Sequence, residues 1–194
     1  MRSFARTLLS GSLFVSFLAV APPVSAQDID FGYQWLRLSG KGFGESFALG
    51  FGAAYEYPLA DPWAVVGFVD LSRRSGSDED DGVEIDFSET ITTFGAAARW
   101  NREMMGAFER LFAQVGFGVA RSGFTDTISL NGTEIDEFSD SETSPMFTFG
   151  AGVTRPFNDL WSLILQGDYR RLFEEGGGAN VFRVFVGARR KLAM

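Results

Sequence analysis

The chain carries 25 acidic and 17 basic residues but no histidine and no cysteine. Without histidine it lacks the commonest general base and the commonest metal ligand. Without cysteine it has no thiolate nucleophile, thiolate metal site or disulfide. Carboxylates and guanidinium groups are what remains for chemistry. No Gly-x-Ser-x-Gly elbow offers a nucleophilic serine. Asp78-Glu79-Asp80-Asp81-Gly82 opens like a calcium loop. With Gly82 as its sixth position, the first and twelfth are Ser77 and Ser88, where an EF-hand needs carboxylates. The stretch therefore reads as a solvated acidic loop, with weak binding of divalent cations as the sharper alternative. Gly40-Lys41-Gly42-Phe43-Gly44 lacks the Gly-Lys-Ser/Thr ending and the helix of a phosphate loop, and reads as a flexible link. No catalytic residue, cofactor or metal site is expected.

A second set of charges has a different logic. Glu56, Asp70, Arg99, Arg110, Asp168, Arg170, Arg183 and Arg189 fall on the small or polar parity of alternating segments. Mixed signs on one face point to a structural ion-pair network, or more sharply to a selective pore lining. The segments holding Asp168 and Arg183 are joined around residue 176, which should bring these two side chains together. Asp70 and Arg170 are the expected further members.

The elements that would position them are strands. Phe47, Leu49, Phe51, Ala53, Tyr55 and Tyr57 share one parity, and Ser46, Ala48, Gly50, Gly52, Ala54 and Glu56 the other. A period of two means a strand with unlike faces. The small face suits the inside of a narrow barrel, and the bulky face suits lipid. Pro58-Leu59-Ala60-Asp61-Pro62 turns the chain into Trp63 to Arg73, clustering Tyr55, Tyr57 and Trp63 at one end like an interfacial girdle. The same alternation runs through residues 29–38, 109–122, 147–154, 161–170 and 182–189. Residues 85–100 alternate less cleanly: Ile85, Phe87 and Ile91 oppose Phe94, Ala96, Ala98 and Trp100. Either a bulge near Thr92 or Thr93, or a strand projecting past the membrane, accounts for the switch. Asn131-Gly132 is a hairpin signal within the long link 123–144 and predicts a ribbon pairing Leu130 with Thr133 and Ile128 with Ile135.

Arg2 and Arg6, the apolar run Leu8 to Val20 and the small residues Val24-Ser25-Ala26 describe a cleaved signal peptide over residues 1–26. The expected mature domain, 27–194, holds 15 basic and 25 acidic residues, an excess of negative charge that disfavours nucleic acid. No stretch of it approaches the roughly 18 apolar residues of a spanning helix. An exported, Phe-rich chain without such a helix is reconciled by an all-β, eight-stranded, antiparallel up-and-down transmembrane barrel.

Taken in order, Gly32-Tyr33-Gln34-Trp35-Leu36, Gln114-Val115-Gly116-Phe117-Gly118, Gly150-Ala151-Gly152 and Gly167-Asp168-Tyr169-Arg170-Arg171 resemble the small outer-membrane β-barrels of the opacity-protein and outer-membrane-protein-A type. The resemblance spans the whole mature chain. It implies a bacterial outer-membrane location, outer-membrane lipid around the barrel, and assembly by the barrel-insertion machinery. It implies no single activity. Such barrels usually end in an aromatic residue, whereas this chain ends Arg189-Arg190-Lys191-Leu192-Ala193-Met194. The expected function is non-enzymatic, in envelope structure or in surface contacts through loops 75–84 and 123–144. A small pore and a soluble lipocalin-like carrier are the alternatives; the carrier would need an apolar interior.

Overall fold

The computed structural model describes residues 27–40, 43–80, 83–130, 133–173 and 178–192. The expected signal peptide lies outside them, as does the Asn131-Gly132 turn. The described chain is one antiparallel ring of β1 (Gln27–Gly40), β2 (Phe43–Phe47), β3 (Leu49–Ala60), β4 (Trp63–Asp80), β5 (Val83–Glu103), β6 (Arg110–Leu130), β7 (Thr133–Pro156), β8 (Trp161–Leu172) and β9 (Asn180–Leu192). Each strand pairs with its successor, except that β2 and β3 both pair with β1, and β1 closes the ring against β9.

β2 and β3 are two halves of one wall position, so the nine segments build an eight-stranded barrel. β1 meets β2 with Leu36 opposite Phe47, and meets β3 with Tyr33 opposite Phe51. One extra residue, Ala48, therefore sits on the β2–β3 side, which is a β-bulge. The Tyr33 hydroxyl donates to the Ala48 carbonyl oxygen. A one-residue insertion flips every side chain beyond it. Phe47 is thus turned inward and completely buried, while Ser46 and Ala48 face outward. This corrects the expectation that Phe47 shares the lipid face with Leu49 and Phe51.

The switch within residues 85–100 has the other cause. β5 runs in unbroken register against β4 from Val83 to Trp100 and against β6 from Val83 to Glu103. No bulge lies near Thr92. Ile91 points inward and is buried, and Phe87 and Ile85 continue that row above the barrel. The expected acidic loop 75–84 is mostly strand, since β4 reaches Asp80 and β5 resumes at Val83. Likewise β6 and β7 carry their pairing to Leu130 and Thr133, but a shift between Ile128 and Ser129 sets Ile128 opposite Asp136 rather than Ile135.

The short connections Ala60 to Trp63, Glu103 to Arg110 and Pro156 to Trp161 lie at the end that holds Gln27 and Leu192. That arrangement marks the periplasmic end, with the long strands projecting outside. Facing outward in the wall are Phe31, Phe51, Val69, Phe94, Phe117, Phe149, Leu165 and Val186, all exposed. A continuous apolar outer band is the inverse of a water-soluble surface and fits a lipid solvent.

Candidate functional site

The lumen is the candidate site, and its wall comes from the alternation. Inward positions on β1, β3, β4, β5, β6, β8 and β9 bring five carboxylates and five arginines into ion-pair range: Asp28, Asp30, Glu56, Asp70 and Asp168 with Arg99, Arg110, Arg170, Arg183 and Arg189. These ten charges balance, as a low-dielectric interior demands.

The structure brings all four candidate residues together in its middle layer. Asp168 of β8 is directly opposite Arg183 of β9, with Nη1 and Oδ2 2.5 Å apart. Arg183 Nη2 also reaches Asp70 Oδ1 at 2.9 Å, and its Nε donates to Gln34 Oε1 at 2.6 Å. Arg170 Nη2 binds Asp70 Oδ2 at 2.6 Å while its Nη1 donates to Thr93 at 2.9 Å. Asp168 further accepts from Gln114 and Gln166, at 3.2 and 2.9 Å. Arg183 is thus the bridge between carboxylates from opposite sides of the ring. Its guanidinium also lies 4.7 Å from the Phe185 ring centre, a cation–π contact.

Glycines make the room. A Cβ on Gly52 would stand 2.4 Å from Asp70 Oδ1, and one on Gly150 would stand 2.0 Å from Asp168 Oδ1. The small inward residues are therefore the space that the carboxylates occupy.

Toward the periplasm lies a second layer. Arg99 and Arg189 share Glu56 Oε2 at 2.6 and 3.0 Å, and Arg189 clasps Asp30 at 2.6 and 2.7 Å. Arg110 holds Asp28 and Glu56 at 3.1 and 3.2 Å nearer the mouth. Phe112 is buried against the Arg99 guanidinium, 4.2 Å from ring centre to charge. Above the middle layer, Leu36, Phe47, Ile91, Met146, Leu172 and Val181 form an apolar cap. The space left among Arg99, Gln114, Arg170 and Arg183 is about 10 Å³, roughly one water.

Asp28 and Asp30 were not among the sequence candidates, nor were the inward Phe112 and Phe185. Parity could have found all but Asp28, which precedes the expected start of its strand. At the periplasmic end, Glu109 accepts from Ser162 at 2.8 Å and from Lys191. Partial burial raises the Glu109 carboxyl pKa, but these donors outweigh it and hold the group below its ordinary range.

The closed ring of strands and its apolar outer wall define a small transmembrane β-barrel. The family model of the outer membrane protein beta-barrel domain matches residues 10–189, so the chain belongs to that family. It is accordingly a bacterial outer-membrane protein that sits in lipid. No curated protein matches it in sequence. Among the solved structures that share the fold are the following three. Ail, the attachment invasion locus protein of Yersinia pestis, in complex with the heparin analogue sucrose octasulfate, is 16% identical with TM-score 0.56, covering 87% of this chain and all of that one. Neisserial surface protein A is 14% identical with TM-score 0.54, covering 86% and 97%. A major outer membrane protein of Thermus thermophilus is 14% identical with TM-score 0.52, covering 87% and 100%.

Proposed function

We propose that the protein is a non-enzymatic outer-membrane barrel with a closed lumen, acting in envelope structure or surface contact through its projecting strands. The reading rests on one observation: layered ion pairs beneath an apolar cap close the middle of the lumen down to about 10 Å³, below an open vestibule of about 410 Å³ at its external mouth. A general pore needs a continuous water path, and a carrier of apolar ligands needs an empty apolar cup. Eight strands enclose only enough space for side chains. The absence of histidine and cysteine from the sequence withholds the usual nucleophile activation.

Residues 1–26 act as the cleaved export signal, and 27–194 form the domain that the barrel-insertion machinery places in the membrane. The surface partner meets residues 75–84 and 123–144. Asp86, Asp126, Asp136, Glu137, Asp140 and Glu142 in and beside these segments favour a neutral or cationic partner over a sulfated polyanion of the kind bound to the Yersinia barrel. Liposome swelling in small sugars and amino acids tests the closed lumen. Purified protein should give no more swelling than protein-free liposomes, and size-dependent swelling would establish a pore instead.

A further inference from the structure

Above the apolar cap the barrel opens into the vestibule of about 410 Å³ at its external mouth. Leu38, Ile91, Ala120 and Leu172 of the cap form its floor. Its walls come from β2 and from the inward face of the projecting sheet β4 to β7. One row of side chains crosses that sheet strand by strand. Arg74 is opposite Glu89, Glu89 opposite Phe124, and Phe124 opposite Asp140. In the row beneath, Ser122 is opposite Glu142. Such a volume, with an apolar base and a few polar groups, is that of a small-molecule site.

One half of the vestibule shows what its side chains recognise. The Arg74 guanidinium is held by Glu45 and Glu89 at 2.6 and 2.7 Å. It also lies 5.5 and 5.4 Å from the ring centres of Phe47 and Phe87. Two carboxylates and two aromatic rings thus surround one cation, which joins ion pairing to cation–π attraction.

The other half repeats the carboxylates and the aromatic ring without the cation. Phe124, Asp140 and Glu142 line it. Asp140 accepts from the Ser141 backbone amide at 2.7 Å. Among the described residues no cation lies within ion-pair distance of Asp140 or Glu142. Asp126 stands one step above Phe124 on the same face, and its Oδ1 is shut from solvent with no hydrogen-bond partner. A buried acceptor left unmatched is costly until a donor reaches it. The vestibule lining carries four carboxylates against one arginine, whereas the paired charges of the lumen below it balance.

Among the described residues no cluster of three carboxylates could hold a metal ion. Dispersed carboxylates beside an aromatic ring and above an apolar floor suit a larger, weakly hydrated cation. We propose that the vestibule binds a small amphiphilic organic cation. Its ammonium or guanidinium group sits between Asp140, Glu142 and the Phe124 ring, and its apolar body rests on Ile91, Ala120 and Leu172. The site rests on the closed-lumen reading, because the cap that shuts the lumen is its floor. Liposome swelling judges that reading and a binding titration judges the site, so either can fail alone.

Calorimetric titration of the protein in phosphatidylcholine nanodiscs, with empty nanodiscs as the blank, tests the site. The probes share one shape and differ in charge: phenylbutylammonium, phenylbutanol and phenylbutyrate. The cation should bind saturably to the wild type. The alcohol and the carboxylate should bind at least about tenfold more weakly, the loss expected when charge-assisted contacts are removed. Equal affinity for the alcohol, or no saturable binding of the cation, would overturn the proposal. Displacement of the cation by an equal concentration of calcium would assign the carboxylates to a metal ion and overturn it as well. Combined Asp140→Asn and Glu142→Gln should weaken the cation at least about tenfold. Combined Asp86→Asn and Glu137→Gln removes the same charge from exposed positions on the outward face of the same sheet, and should bind the cation as the wild type does. Equal loss in the two double variants would show general surface attraction and contradict a site in the vestibule.

Discussion

Asp168 and Arg183 stand directly opposite one another on β8 and β9, and Arg183 continues across the lumen to Asp70 on β4. One guanidinium thus ties the last hairpin to the far wall. Removing one partner of a buried pair leaves an uncompensated charge, which costs about 3–5 kcal/mol. Arg183→Ala should lower the unfolding free energy in urea by an amount in that range. Replacing Arg183 with Gln and Asp168 with Asn together should cost less than the two single changes added, as coupled neighbours do. Strict additivity would show that the pair is not coupled.

The glycines beside these carboxylates make a second prediction. Gly150→Val places a branched side chain where Asp168 Oδ1 already stands. Such overpacking typically costs about 1–3 kcal/mol. Gly167→Ala, on the neighbouring strand but facing lipid, has nothing within 4 Å of its new Cβ and should be neutral. Equal urea midpoints for the two variants would remove the steric account of the small inward residues.

The lipid face yields a third. Phe51 is 58% exposed and outward. An arginine on a barrel's lipid face costs about 2–4 kcal/mol at mid-bilayer and less toward the interfaces. Phe51→Arg should therefore impair insertion into vesicles far more than Ser46→Arg, which adds one arginine to a rim that already holds Arg37 and Arg73. Similar insertion yields for both would count against the assigned depth.

Much of this wall is readable from parity alone. Leu111, Ala113, Val115 and Phe117 outward against Gln114, Gly116 and Gly118 inward is a pattern that only a two-faced strand produces. The location of Phe47 is not readable, because a bulge at Ala48 reverses parity with no change in residue type. The reach of β4 to β7 beyond the membrane is also hidden, since acidic and serine-rich segments resemble loops whether or not their backbones pair. Asp168 and Arg183 can be matched because a short link joins their strands. The Arg183–Asp70 and Arg170–Asp70 contacts depend on ring closure between strands distant in sequence, which no local pattern encodes. Asp28 escapes notice because strand ends are the least marked part of any alternation.

The projecting sheet should be separable from the barrel. β6 and β7 pair with each other up to Leu130 and Thr133, but β7 meets β8 only from Met146 toward the periplasm. Replacing residues 126–140 with a short Gly/Ser link should leave membrane localisation and heat-modifiable gel mobility unchanged while abolishing surface contact. Loss of heat-modifiable mobility would show that the projecting strands are needed for folding.

Acid should weaken the seam at the periplasmic end in one specific way. The Glu109 carboxyl is held below its ordinary range in the folded state, against the opposing effect of partial burial, by donors from Lys191 and Ser162. A depressed carboxylate contributes stability above its unfolded pKa and loses it as pH falls through the folded pKa. Glu109→Gln should therefore be less stable than wild type at neutral pH, and the gap should close below the ordinary carboxylate range. A gap independent of pH would mean that the contact is steric rather than ionic.

Single-channel recording in a planar bilayer tests the closed lumen most directly. The wild type should give no steady conductance at neutral pH, because Arg183, Asp70 and Asp168 hold the middle layer shut beneath the apolar cap of Leu36, Phe47 and Met146. Arg183→Ala, which empties the bridge, should introduce small ion-permeable openings. A large, sustained, non-selective conductance from the purified wild type would contradict the account.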